Sequence, residues 1–146
     1  MNNDTLQLAA RITLSYVGTF LFAIIVQTVS KIRAMAQHKA NKAQTGSKEF
    51  FNRYTDVRIL AADRSVGNFV EWMGAFLTLF WLNAFLTGDR VELGWIYVAS
   101  RLLYPVLAVN GGISLAGAKP IIFLATVPGY YVLITYAWTI YAHLYR

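Results

Sequence analysis

Residues Leu6 to Val29 read LQLAARITLSYVGTFLFAIIVQTV, 24 residues carrying a single charge, Arg11. As a helix the run is about 36 Å long at 1.5 Å per residue, enough to cross a bilayer core of about 30 Å. Arg11 lies one turn inside its start, where a long side chain snorkels to the interface. The flanks argue against a cleaved leader. Asn2, Asn3 and Asp4 bring no positive charge ahead of the run, Lys31 and Arg33 precede the small-x-small triplet Ala34-Met35-Ala36, and the run is too long for a signal core. It reads as an uncleaved first membrane helix.

Outward from this run the whole chain has the same character. Of its 146 residues 57% are hydrophobic and 14% charged, against about 45–50% and about a quarter in soluble domains. Such a chain is not disordered, which would need few apolar residues and much net charge. With no cysteine it has no disulfide framework and no catalytic thiol of its own. The net charge of +6 is not a nucleic-acid footprint, because eight of the thirteen Lys and Arg residues fall between Lys31 and Arg64, between apolar runs. Basic residues crowded into one loop follow the positive-inside rule.

Three more apolar runs follow: Ile59 to Leu86, Leu93 to Ala116 and Ile121 to Leu144. The expected architecture is all-α, a four-helix transmembrane bundle in a single domain, 1–146, with helices at about 6–33, 59–86, 93–116 and 120–145. The basic loop 34–58 is expected in the cytosol and both termini on the opposite side, with the acidic turn of Asp89, Arg90 and Glu92. Trp95, Tyr97, Tyr136, Trp138, Tyr141 and Tyr145 suit interfacial positions.

An ionisable side chain at mid-membrane costs about 2.5–3.5 kcal/mol and has to be explained. Arg64, Asn68 and Glu71 are spaced four and three apart and so share one helix face; Tyr97, Arg101, Tyr104 and Ala108 do the same on the third helix. Counting heights from Leu86 and Leu93 puts Glu71 about 22 Å and Arg101 about 12 Å above the turn. On that count Tyr104 and Asn110 reach Glu71, while Arg101 pairs elsewhere, with another subunit or through Tyr97. A plainer reading makes Asn68 and Glu71 interhelical glue, and Gly111-Gly112 a close helix contact. Arg58 and Asp63 read as solvated. His38 and His143 are too far apart for a metal pair, and no metal is expected.

The segment Arg64-x-x-x-Asn68-x-x-Glu71 resembles the R-x-x-x-N-x-x-E signature of the MAPEG family, the membrane-associated proteins of eicosanoid and glutathione metabolism. Chain length, four spans, a basic first loop and the third-helix pair Arg101 and Tyr104 are similar too. The resemblance implies a homotrimer that binds glutathione, as cosubstrate, between neighbouring subunits. Arg64, Asn68 and Glu71 then match its glutathione contacts, Glu71 meeting the amino group, with Tyr104 and Arg101 as further binding residues and Arg33 as another cation. Three positions depart from the pattern. Ala108 replaces a second Tyr, Ser65 an Ala, and Lys119 stands near the place of an Arg that stabilises the thiolate; lysine offers a point charge without the guanidinium fork.

The expected function is that of a glutathione-dependent transferase or peroxidase acting on lipophilic electrophiles. Lys119 or Arg33 would lower the thiol pKa. The alternative, motivated by Ala108 and Lys119, is a non-catalytic relative that binds membrane lipids or serves as an accessory subunit of a larger membrane complex. A small transporter or channel subunit is a third class, although no broken-helix or inverted-repeat signal accompanies it.

Overall fold

The computed structural model describes residues 3–46, 50–52 and 54–145; Lys48 and Arg53 of the basic loop, and the extreme termini, lie outside the described residues. Helix α1 spans Asn3–Thr45, about 65 Å at the helical rise. It does not stop at 33 as expected but takes in the first part of the expected loop. The reason is composition: Ala34, Met35, Ala36, Gln37, Lys39, Ala40, Lys42, Ala43 and Gln44 are polar or small but good helix formers. The helix ends at Gly46, whose φ of 65° suits the left-handed position and whose N–H donates to the Lys42 carbonyl at 3.0 Å.

Helix α2 covers Val57–Leu86. Asp56 caps it, its carboxylate accepting the N–H groups of Arg58 at 2.9 Å and Ile59 at 3.3 Å. A tight turn and one turn of 3₁₀ helix, Val91–Leu93, lead into α3, Gly94–Leu107. There the third apolar run departs from the continuous helix expected to 116. Pro105 brings no N–H to the ladder, and the following turn, Ala108–Gly112, is a π-type turn with non-helical backbone at Asn110 and Gly111, the latter at φ 94°. A two-residue antiparallel ribbon follows, β1 (Ile113–Ser114) against β2 (Gly117–Ala118), with Ile113 opposite Ala118 and Ser114 opposite Gly117. Pro120–Ile122 forms a 3₁₀ turn that feeds α4, Phe123–Tyr145.

Each helix runs antiparallel to the next. Gln27 and Lys31 of α1 meet Asp63 of α2, Asn68 of α2 meets Arg101 of α3, and the Tyr136 hydroxyl of α4 donates to the Val91 carbonyl at 3.2 Å. The chain therefore runs up, down, up and down, with α1 and α4 leaving both chain ends at the end opposite the α1–α2 connection.

The core is largely aromatic. Tyr16, Phe69, Phe76, Phe80, Tyr97 and Tyr136 are all buried, and Phe76 stacks on Tyr97 with centroids 3.9 Å apart. Such pairs add about 0.5–1.5 kcal/mol beyond their buried area. The outside is apolar as well: Leu14, Ile25, Leu124, Ile134 and Trp138 are exposed large hydrophobics. Four helical stretches among the described residues, Asn3–Thr45, Val57–Leu86, Val91–Gly112 and Pro120–Tyr145, are long and apolar enough to cross a membrane. The protein is an integral, multi-pass membrane protein whose backbone polar groups are satisfied inside its helices, as lipid requires.

Of the Gly111-Gly112 pair, only Gly112 is the close contact expected. A Cβ there would lie 2.5 Å from the Leu107 carbonyl oxygen and 2.7 Å from Ile122, whereas Gly111 faces open space. Gly112→Ala is expected to destabilise the fold by about 1–3 kcal/mol, read as a lower melting temperature in detergent. Gly74→Ala, inside α2 and with nothing within 4 Å of its added methyl, is expected to hold or slightly raise the melting temperature, since alanine is the better helix former.

Candidate functional site

The capped start of α2 carries the stripe Arg64, Asn68, Glu71 down one face, and α3 brings Tyr104 against it. These four side chains line a cleft of about 250 Å³. Arg64 and Glu71 are exposed at its mouth, Asn68 is half-buried and Tyr104 is buried. The cleft thus combines a guanidinium, a carboxamide, a carboxylate and a phenol. Tyr104 lies within electrostatic range of Arg64, Glu71 and Arg101. Ser65, at a position where the sequence departs from the family pattern, turns away from the cleft: it is buried and its hydroxyl donates to the Ala61 carbonyl at 2.8 Å.

Arg101 does not line the cleft. It is 1% exposed, and its Nη1 donates to Asn68 Oδ1. Its guanidinium carbon sits 4.6 Å from the centre of the Tyr97 ring, a cation–π contact that gains strength where water is excluded. Of the two partners expected for Arg101, another subunit or Tyr97, the Tyr97 contact is present, and Asn68 of α2, which the sequence reading did not offer, is added to it. On the side of α4, Gly129 makes room: a Cβ there would lie 3.0 Å from Arg101 Nη2. Arg101 makes no ion pair with a described carboxylate, and its Nε and Nη2, like the hydroxyls of Tyr16 and Tyr97, have no hydrogen-bond partner among the described residues.

The height count placed Tyr104 beside Glu71 but set Arg101 too low, for a definite reason. Asn83 is fully buried, and its Nδ2 donates to the Asp89 carbonyl at 2.7 Å, which folds the α2–α3 turn back along α2. Gly94 consequently packs against Phe80. The third helix starts well above Leu86, with Tyr97 stacked on Phe76, and the long Arg101 side chain comes within reach of Asn68.

Other expected positions fall elsewhere. Asn110 does not reach Glu71, because its Nδ2 donates to its own helix at the Val106 carbonyl, 2.8 Å away, and it is exposed. Asp63 is not free in solvent: it pairs with Lys31 Nζ at 2.8 Å and accepts from Gln27 Nε2 at 2.8 Å. Arg58 is exposed and donates to Gln37 at 2.5 Å. Arg33 and Lys119 are both exposed, and neither lines the cleft of its own chain. Ala108 is buried in an apolar cluster with Ala61, Tyr104, Ile113, Ile122 and Ala125. Tyr16 and Gly129, which surround the Arg101 pocket, were not singled out in the sequence. Tyr16 was within reach of periodicity, since Ala9, Ile12, Tyr16, Thr19 and Ala23 form one buried face of α1. No cluster of three or more His, Cys, Asp and Glu among the described residues could hold a metal ion.

A sequence model of the MAPEG family matches residues 8–140, most of the chain. No curated protein and no solved structure matches it.

Asn68 has two roles in this geometry, one oxygen holding Arg101 and the rest of the amide lining the cleft. Asn68→Ala removes the acceptor of a buried charged donor and is expected to cost about 1–3 kcal/mol or more. Asn68→Asp places a carboxylate against the same guanidinium and is expected to melt at or above the wild-type temperature. Thermal unfolding of both variants in the same detergent checks the pair; equal melting of Asn68→Ala and wild type would count against this role.

Proposed function

Because the chain belongs to the MAPEG family, a membrane family with broadly glutathione- and eicosanoid-related functions, we propose that it is a glutathione-dependent transferase or peroxidase acting on lipophilic electrophiles. The observation that carries the reading is the cleft itself. Glutathione presents two carboxylates, one ammonium, two peptide groups and a thiol, and Arg64, Asn68, Glu71 and Tyr104 together offer a complementary cation, amide, anion and hydroxyl. In this reading Glu71 accepts the ammonium, Arg64 holds a carboxylate through its guanidinium fork, and Asn68 and Tyr104 bond to the peptide. Arg101 acts at one remove, keeping the Asn68 amide oriented.

The cosubstrate supplies a thiol that is reactive as its thiolate, and a nearby positive charge lowers its pKa. Lys119 and Arg33 are the candidates for that charge. Both lie outside the lining of their own chain's cleft, which favours a homotrimer in which a neighbouring subunit provides them. The lipophilic partner arrives through the bilayer, and holding it beside the thiolate converts a bimolecular encounter into a positioned reaction. The basic face is assigned to the cytosol, where a water-soluble tripeptide enters. Ala108 in place of a phenol, buried in an apolar cluster, and Lys119 in place of a guanidinium fork favour a second reading, a non-catalytic relative that binds membrane lipids or serves as an accessory subunit of a larger membrane complex.

Glutathione is expected to raise the melting temperature of the detergent-purified protein and to give a thiolate absorbance at neutral pH. Glu71→Gln removes a charge-assisted hydrogen bond worth about 1.5–3 kcal/mol, so its affinity is expected to fall at least about tenfold. Stabilisation without a thiolate signal would mean a glutathione site that has lost its activator; no stabilisation at millimolar glutathione would refute the transferase reading and select the lipid-binding or accessory role.

A further inference from the structure

A second polar pocket, of about 500 Å³, lies at the other end of the bundle between the α2–α3 turn and the last turns of α4; Thr87, Asp89, Arg90, Trp138, Thr139 and His143 line it. The turn is fixed from below. Besides its bond to Asp89, Asn83 accepts the N–H groups of Thr87 and Gly88 on its carbonyl, at 3.0 and 2.9 Å, and the Thr87 hydroxyl accepts the Asp89 N–H at 3.1 Å. Arg90 has φ 55° and is the one non-glycine with positive φ among the described residues. Glycine would adopt that backbone without strain, so the local fold does not call for an arginine. Arg90 and Asp89 are both exposed, and neither side chain is held by a hydrogen bond or ion pair to a described residue.

Strain held in place at a site that presents unpaired charge points to a ligand. A second, independent feature adjoins it. Ile134, Ala137, Trp138 and Tyr141 line an apolar groove of about 590 Å³ along the outer face of α4, and Trp138 belongs to both. From His143 back to Ile134 is about 14 Å of helix, running from the bundle's end toward the middle of the membrane. Polar pocket, interfacial indole and apolar groove thus follow one another in the order of a phospholipid's headgroup, glycerol region and acyl chain.

We propose that these two features form one site for a zwitterionic phospholipid with an ethanolamine-type headgroup, drawn from the leaflet at the end that carries both termini. Arg90 and His143 donate to the phosphate. The ammonium is accepted by the Asp89 carboxylate and by the Thr139 oxygen, whose own proton is committed to the Thr135 carbonyl at 2.9 Å. Because Arg90 and Asp89 carry opposite charges, a purely anionic headgroup leaves Asp89 repelled. A quaternary ammonium cannot donate to Asp89 or Thr139, and one indole is less than the aromatic cage such a cation requires.

The test is native mass spectrometry of the full chain in detergent, with phosphatidylethanolamine, phosphatidylcholine and phosphatidylglycerol of matched acyl chains, and with free phosphoethanolamine. Wild type is expected to retain the ethanolamine lipid several-fold over the other two and to ignore the free headgroup. Arg90→Gly relieves the backbone strain, so it is expected to melt at the wild-type temperature or above while losing that preference; Trp138→Ala is expected to weaken retention of all three lipids. Equal retention of the three lipids by wild type, retention of the free headgroup as strong as that of the lipid, or an undiminished preference in Arg90→Gly would each overturn the proposal. Glutathione binding at the opposite end is read separately and is expected to be the same in both variants.

Discussion

A guanidinium cannot be left bare in the middle of an apolar bundle, and the arrangement of α2, α3 and α4 follows from where Arg101 finds its partners. One Nη1 bond to Asn68 fixes which face of α2 turns toward α3. The ring of Tyr97 covers the cation from its own helix, and Tyr97 in turn stacks on Phe76 of α2. Helix α4 can pass beside the group because Gly129 has no side chain. A buried charge without a compensating partner is among the costliest defects a fold can carry, so these contacts constrain one another.

The cleft is a by-product of the same packing. With Asn68 turned inward to Arg101, its helical neighbours Arg64 and Glu71 stand along the edge of the α2–α3 seam rather than in lipid, and Tyr104 closes the seam one turn beyond Arg101. The break after α3 matters as well. Had the helix continued through Asn110 to Ala116, Ile113 and Ile122 could not fold back under Tyr104 in the small apolar cluster that supports it.

The two ends of the bundle are built differently. At one end α1 runs on as a basic helix beyond the membrane-spanning length, tied to α2 by Lys31 and Gln27 on Asp63. At the other the chain turns sharply, held by the buried Asn83, and spends backbone strain on Arg90. Glycine is the residue such a position favours, so the arginine there is not called for by the turn itself.

Hydropathy and helical periodicity carried most of the architecture, because in lipid a long apolar run has little choice but helix. They gave the four spans and the shared face of Arg64, Asn68 and Glu71; counting heights along the helices added Tyr104 opposite that face. The end of α1 was misjudged because polarity was read as loop, although alanine, lysine and glutamine are helix formers wherever no Gly or Pro intervenes. What only the folded chain decided was level and partner. The α2–α3 turn doubles back through Asn83, a side-chain-to-backbone bond between residues six apart that no hydrophobic pattern records. That offset brings Arg101 within reach of Asn68. Periodicity tells which residues share a face; the height at which two faces meet is set by the turn between them and by the long side chains that cross the gap.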